Sequence, residues 1–159
     1  MTPVSEAHLA AWKALLGCHA SVVSRIEAAL EEAGLPPLAW YDVLWAIRTA
    51  PGRRLRMSEL AERVTISRGG LTKLADRLEA SGLLRRVRAD EDGRGLYAVL
   101  TSDGNALLRR MWPVYARVLG EVFVASVTAS EARAIANGLG RAADAARSPR
   151  ALGGETGAP

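Results

Sequence analysis

Residues 57–100, MSELAERVTISRGGLTKLADRLEASGLLRRVRADEDGRGLYAVL, decide the fold. Met57, Leu60, Ala61 and Val64 are spaced i, i+3, i+4, i+7. Leu71, Leu74, Ala75 and Leu78 repeat that spacing after Ser67. Each set lines one face of a short amphipathic helix. Only Thr65 and Ile66 separate the first helix from Ser67, so the two helices must meet at a steep angle, as in a helix-turn-helix. The outward face of the second helix then carries Arg68, Gly69, Thr72, Lys73, Asp76 and Arg77. It is slim, polar and largely cationic, which suits the DNA major groove. Two strand-like runs follow, Leu83–Arg88 and Leu96–Leu100, joined by a turn with two glycines, Gly93 and Gly95. A helix-turn-helix followed by a basic hairpin predicts a winged helix. Arg85, Arg86, Arg88 and Arg94 have a route to phosphates or the minor groove.

Outward from this stretch, the spacing predicts a long first helix from about Ser5 to Ala33. Leu9, Trp12, Leu16, His19, Val23, Ile26 and Leu30 form a three-heptad seam. Ala11, Leu15, Cys18, Val22 and Ala29 widen it beyond what one small lobe can cover, which predicts packing against another subunit. A second helix, about Pro37 to Ala50, is apolar nearly all round and is expected at the centre. The basic run Arg53-Arg54-Leu55-Arg56 reads as a loop. Thr101 is placed to cap a fifth helix to about Ala125, kinked at Pro113. Thr128 and Glu131 form a capping box that opens a sixth helix to about Arg147. The tail SPRALGGETGAP has no periodic apolar face and is expected to be disordered.

These observations predict a mainly α fold with a small β-hairpin, in a single domain over 1–147. Residues 36–100 would form the winged helix-turn-helix lobe, 5–35 and 101–147 the dimerisation helices, and 148–159 a disordered tail. The 159 residues suffice for one domain, and 49% of them are apolar. No apolar run reaches the length of a membrane span and no signal pattern opens the chain, so a cytoplasmic protein is expected. Cys18 stands alone and has no intrachain partner. No residue cluster has metal-ligand spacing, and no nucleophile–base pair or phosphate-cradling loop appears; neither a cofactor, a metal nor an enzyme activity is expected. Between Arg48 and Arg94 lie 12 Lys/Arg against 7 Asp/Glu, and outside it 9 against 10. The positive excess therefore sits on the helix-turn-helix and wing, as expected for a lobe that meets a polyanion.

The segments LPPLAWYDVLWAI (35–47), RMSELAERVTISRGGLTKLADRLEASGLLRR (56–86) and DEDGRGLYAVLTSDG (90–104) resemble the multiple-antibiotic-resistance regulator (MarR) family of bacterial transcription factors. The resemblance runs from about Leu9 to Ala146. It implies a homodimeric winged-helix regulator, usually a repressor, often released from DNA by a small ligand or an oxidant. Two recognition helices would enter successive major grooves of a pseudo-palindromic operator, about 10–10.5 bp apart. The wing departs from the family's usual Asp-x-Arg: here Asp90-Glu91-Asp92-Gly93 precedes Arg94. The resemblance implies that Asp90 braces a nearby arginine. The rival reading is a winged-helix protein-interaction module without DNA affinity, to which the acidic wing tip would be suited.

The expected DNA-binding set is Ser67, Arg68, Gly69, Gly70, Thr72, Lys73, Arg77, Arg88 and Arg94, with Asp90 as wing support. Ser67 sits where a helix cap is needed, and its hydroxyl could also reach a phosphate. Gly69 and Gly70 serve either close approach to DNA or a tight turn. Arg77 binds a phosphate or pairs with Glu79 or Asp90. His19 is either a core or interface residue or a polar group in a pocket. With Trp12, Tyr41, Trp45, Trp112 and Tyr115 it is the candidate lining of a cleft for a small aromatic or phenolic effector; the aromatics alone read most simply as core. In the peroxide-sensing branch the reactive cysteine lies about two turns before Cys18, where this chain has Trp12, so Cys18 is not assigned a redox role.

Overall fold

In the computed structural model, residues 3–64, 66–88 and 95–148 are described, with Arg68 described for its backbone alone. The expectations for Asp90, Arg94 and the tail beyond Ser148 lie outside the described residues. The chain divides into two compact units, Met1–Leu119 and Gly120–Pro159.

The first unit opens with helix α1, Glu6–Glu32, capped by Ser5, whose hydroxyl accepts the His8 N–H. Its C-terminal half supplies Ile26, Ala29 and Leu30 to the core. Its N-terminal half leaves Leu9, Trp12 and Leu16 exposed at 48%, 57% and 51%. The heptad seam is thus covered only where the chain folds back on it. Helix α2, Leu38–Arg48, follows Pro37, whose side chain offers no cap. The cap comes from α1 instead, where both carboxylate oxygens of Glu27 accept the Leu38 N–H at 3.1 Å. Tyr41, Val43, Leu44 and Ile47 of α2 are buried, but Trp45 is exposed, so α2 is not buried all round as expected.

A tight turn, Pro51–Arg53, leads into a strand that sequence reading takes as a loop: β1, Arg54–Arg56. It pairs antiparallel with β3, placing Leu55 opposite Ala98. Leu55 is buried, and its single apolar side chain between arginines is the whole inward signal of this strand. Helices α3, Met57–Arg63, and α4, Arg68–Ala80, come next, then strands β2, Leu84–Arg88, and β3, Leu96–Leu100. The sheet order is β1-β3-β2, so the hairpin is part of a three-stranded sheet. Leu60, Leu71, Ala75, Leu78, Leu84 and Ala98 are buried together with the inner face of α2.

Helix α4 ends at Gly82, whose φ of +71° lets Leu83 N–H reach the Leu78 carbonyl at 2.9 Å. This turn is latched to the next helix, because Thr101 Oγ1 donates to the Gly82 carbonyl at 2.7 Å and accepts the Gly104 N–H at 3.0 Å. Helix α5, Ser102–Leu119, runs through Pro113 and buries Leu107, Leu108, Met111 and Val118. It is shorter than expected, and Gly120–Val124 widens into a π turn, closed by Ala125 N–H on the Gly120 carbonyl.

The second unit contains α6, Ala129–Arg147, opened by the expected capping box of Thr128 and Glu131. Hydrogen bonds from Thr128 hold the Glu131 carboxyl below its usual range. No helix of the described residues is long and apolar enough to cross a membrane.

Candidate nucleic-acid interface

The second helix of the helix-turn-helix is set by both of its ends. At the start, Ser67 Oγ accepts the Gly70 N–H at 3.2 Å, satisfying one of the amides a helix leaves open in its first turn. Leu71, Leu74, Ala75 and Leu78 turn inward and are buried. Gly69, Thr72, Lys73, Asp76 and Arg77 remain exposed on the opposite face.

The two glycines at the start of α4 have different surroundings. A methyl group on Gly70 would lie 3.0 Å from Ile66 Cγ2 and 3.1 Å from Ser67 Oγ, so the cap itself crowds this position. A methyl group on Gly69 would meet nothing within 4 Å. Neither has a positive φ, so neither is required by a left-handed turn. Only Gly70 has a packing reason within the chain.

The wing strand is tied to α4 by a charged cluster. Glu79 Oε1 accepts the Arg86 backbone N–H and Oε2 accepts Arg86 Nε, both at 2.7 Å. Arg86 Nη2 also lies 2.8 Å from Asp76 Oδ1. The backbone hydrogen bond, then the guanidinium, hold the Glu79 carboxyl below its usual range. In return the Glu79 carboxylate, with help from Asp76, raises the Arg86 pKa further. Arg86 is therefore spent inside the protein rather than offered to phosphates, which corrects its expected place among the wing arginines. The same guanidinium thus pairs with Asp76 on the outward face of α4 as well as with Glu79, one cation shared by two carboxylates. Glu79 is engaged by Arg86, and among the described side chains Lys73 and Arg77 are the exposed cations of that face. On the wing, Arg85 and Arg88 are exposed.

The expected cleft residues separate into two groups. Tyr41, Trp45, Trp112 and Tyr115 form a closed set of near-parallel rings across α2 and α5. Centroid distances are 5.8 Å for Tyr41–Trp45, 5.2 Å for Tyr41–Tyr115, 6.4 Å for Trp45–Trp112 and 5.8 Å for Trp112–Tyr115. Arg48 lies over the Trp45 ring at 5.5 Å. Burial raises the pKa of both tyrosine hydroxyls. Trp12 and His19 instead lie on the exposed half of α1.

A cavity of about 370 Å³ opens beside the rings, lined by Asp42, Trp45, Ala46, Thr49, Arg63 and Val64. Of the expected set only Trp45 lines it. Asp42 and Arg63 carry no distinctive sequence spacing; they meet there because the end of α3 returns to α2. Burial, and then Glu27, push the Asp42 carboxyl up, while His19 acts in the opposite sense.

The sequence model of the MarR family matches residues 33–95, which span α2, β1, the helix-turn-helix and β2 and stop just before β3. The HTH-type transcriptional regulator PrsX of Escherichia coli is 30% identical over 83 residues, covering 52% of this chain and 50% of PrsX. The chain spans about half the length of the curated relatives it matches. Among solved structures, Sco3205 of Streptomyces coelicolor, a MarR family transcriptional regulator in complex with DNA, shares the fold with a TM-score of 0.81. The match covers 96% of this chain and 95% of that one at 24% identity. The Mycobacterium tuberculosis MarR family protein Rv2887, in complex with salicylic acid, matches at 26% identity and a TM-score of 0.61, over 88% of this chain and 97% of its own. The family signature covers the elements from α2 to β2, the same architecture recurs over the length of solved regulators, and over these residues the chain is similar to the MarR family.

Proposed function

We propose that this protein is a sequence-specific DNA-binding transcriptional regulator and not an enzyme, acting in the cytoplasm as a homodimeric repressor on a pseudo-palindromic operator. The observation that carries the reading is the outward face of α4. It is capped by Ser67, slim at Gly69, and cationic at Lys73 and Arg77, with Asp76 paired to Arg86. Arg68, Thr72 and Lys73 read or position the major groove, with Ser67, Gly69, Gly70 and Arg77 at its backbone. Arg88 and Arg94 hold the wing on flanking DNA, with Asp90 bracing the wing.

Residues 36–100 serve as the DNA-binding lobe, and 5–35 with 101–147 as dimerisation helices. Support for dimerisation comes from the exposed Leu9, Trp12 and Leu16 of α1, an apolar stripe that a second copy would cover. A small aromatic or phenolic effector is part of the reading. The cavity at Trp45 offers a ring to stack on, Arg63 for an acid group and Asp42 for a hydroxyl, and its volume suits such a molecule.

The test is a gel shift of genomic fragments at two salt concentrations, with sedimentation of the free protein at micromolar concentration. Selective retention of fragments, weakened by salt, by a dimeric species is expected. A stable monomer would remove the dimer; absence of any DNA retention would leave a protein-interaction module.

A further inference from the structure

We infer that the cavity between α2 and the end of α3 takes up an aromatic carboxylate together with one proton, which Asp42 holds. The inference rests on the reading of this cavity as an effector site and says how that site is regulated.

Asp42, Trp45, Ala46 and Thr49 are spaced i, i+3, i+4, i+7, so one face of α2 walls the cavity. Arg63 and Val64, the last residue of α3 and its cap, close the other side. Trp45, Ala46 and Val64 suit a ring, and a volume of about 370 Å³ suits a small one. The charges select the ring's polar group. Arg63 lines the cavity and Arg48 lies over the Trp45 ring at 5.5 Å, against the single carboxyl of Asp42. That balance favours an anion over an amine.

A bound carboxylate needs hydrogen-bond donors. Thr49 supplies none, because its hydroxyl proton is directed to the Trp45 and Ala46 carbonyls, at 3.0 and 3.3 Å. Arg63 supplies them on one side. Asp42 faces the ligand with acceptors alone when ionised and with an O–H donor when protonated. Two carboxylates in one cavity share a proton, because like charges oppose the second ionisation. Binding therefore draws one proton from solvent onto an Asp42 oxygen. That O–H donates to the ligand carboxylate while Arg63 pairs with it, and no other bond is made or broken.

The surroundings prepare Asp42 for this proton. Burial, and then Glu27 of α1, oppose its ionisation, while His19 of α1 favours it. Glu27 is fixed in place, since both its oxygens accept the N–H of Leu38, one turn before Asp42. Tyr41 of α2 and Tyr115 of α5 face it as phenols that burial holds in the protonated form. Arg63 of α3 shares the cavity, yet the charges that bear on Asp42 are those of Glu27 and His19, and β1 and β3 bring none. Affinity for the acid therefore rises as pH falls, by up to about tenfold per pH unit. The rise spans the range between the Asp42 pKa in the free protein and its higher value in the complex.

The experiment titrates the full-length protein with salicylate and with benzoate, both anions between about pH 5.5 and 8. Calorimetry in two buffers of different ionisation enthalpy reads the protons exchanged. Wild type should bind with net proton uptake, and more tightly as the pH is lowered. Asp42→Asn keeps the shape and offers a permanent N–H donor. It should bind without uptake, with little pH dependence, and at the alkaline end at least as tightly as wild type. Arg63→Gln should weaken binding roughly tenfold or more, and undiminished affinity there overturns the placement of the carboxylate. Wild-type binding without uptake overturns the inference and leaves the effector reading standing. Uptake that survives Asp42→Asn also overturns it and places the proton on another group, with His19 the first to test. If Asp42→Asn does not fold, the uptake is read in Asp42→Ala, where its persistence has the same force. A wild type that binds neither acid at millimolar concentration removes the effector reading itself, and this inference with it.

Discussion

Glu79 holds Arg86 by both backbone and side chain: one carboxylate oxygen accepts its N–H and the other its Nε, each at 2.7 Å. A residue near the end of α4 thereby fixes where β2 starts. Glu79→Gln keeps the shape and removes the charge. Charge-assisted hydrogen bonds contribute roughly 1.5–3 kcal/mol, and solvent screening at this partly exposed site reduces that to about 1 kcal/mol. Because the folded state lowers the Glu79 pKa, its contribution is present above the unfolded carboxylate pKa and disappears as pH falls through the folded one. Urea unfolding should show Glu79→Gln less stable than wild type at pH 7 and equal to it in strong acid. Equal stability at pH 7 would mean that the carboxylate charge contributes nothing to the clamp.

Gly69 and Gly70 should part company on substitution. Alanine at Gly69 enters open space and raises helix propensity, so Gly69→Ala should leave stability unchanged or raise it by up to about 1 kcal/mol,. On DNA the added methyl would meet the groove, and operator affinity should fall. Gly70→Ala instead presses on Ile66 and the Ser67 hydroxyl and should lower the melting temperature. Paired thermal melts and operator titrations separate the two. A Gly69→Ala protein that binds as tightly as wild type would show that DNA does not approach there.

Gly104 makes the closest approach of any described glycine. A methyl group there would lie 2.1 Å from the Leu83 carbonyl oxygen and 2.8 Å from Leu100 Cδ1. Backbone must move to admit it, and overpacking of this kind costs about 1–3 kcal/mol, occasionally more. The displaced turn is the one Thr101 latches to α5. Gly104→Ala should therefore lower stability clearly and loosen the wing's base. A melting temperature within a degree of wild type would contradict the packing described.

Periodicity made the fold legible where one face of an element repeats. Leu71, Leu74, Ala75 and Leu78 specify α4 and its outward face without reference to anything else in the chain. It was less informative where a side chain's partner is distant in sequence. The α2 cap comes from Glu27, 11 residues before Leu38, and no local pattern announces it. Strand β1 has one inward residue, Leu55, too few to display alternation. Arg86 read as one wing cation among four because its partners, Asp76 and Glu79, belong to the preceding helix. The cavity pairs Asp42 with Arg63, which only the return of α3 onto α2 brings together. Composition placed the excess positive charge on the segment that folds into α3, α4 and the three-stranded sheet.

Asp42 has the opposite pH behaviour to Glu79. Burial and the neighbouring Glu27 raise its pKa, with His19 opposing them. A carboxyl whose pKa is raised by folding stabilises most below its unfolded pKa, and that contribution is lost as pH rises through the folded value. At pH 7 the folded state therefore carries an ionised group in surroundings that disfavour it. Asp42→Asn keeps the shape without the charge, so it should raise the melting temperature at pH 7. The rise should be a few degrees at most, since 1 kcal/mol corresponds to about 2–4 °C in a chain of this size. In strong acid, where Asp42 is protonated in both states, variant and wild type should melt together. A variant less stable than wild type at pH 7 would show that the ionised carboxylate is held by a favourable partner, with His19 the first to test, because it is the group that acts to keep Asp42 charged.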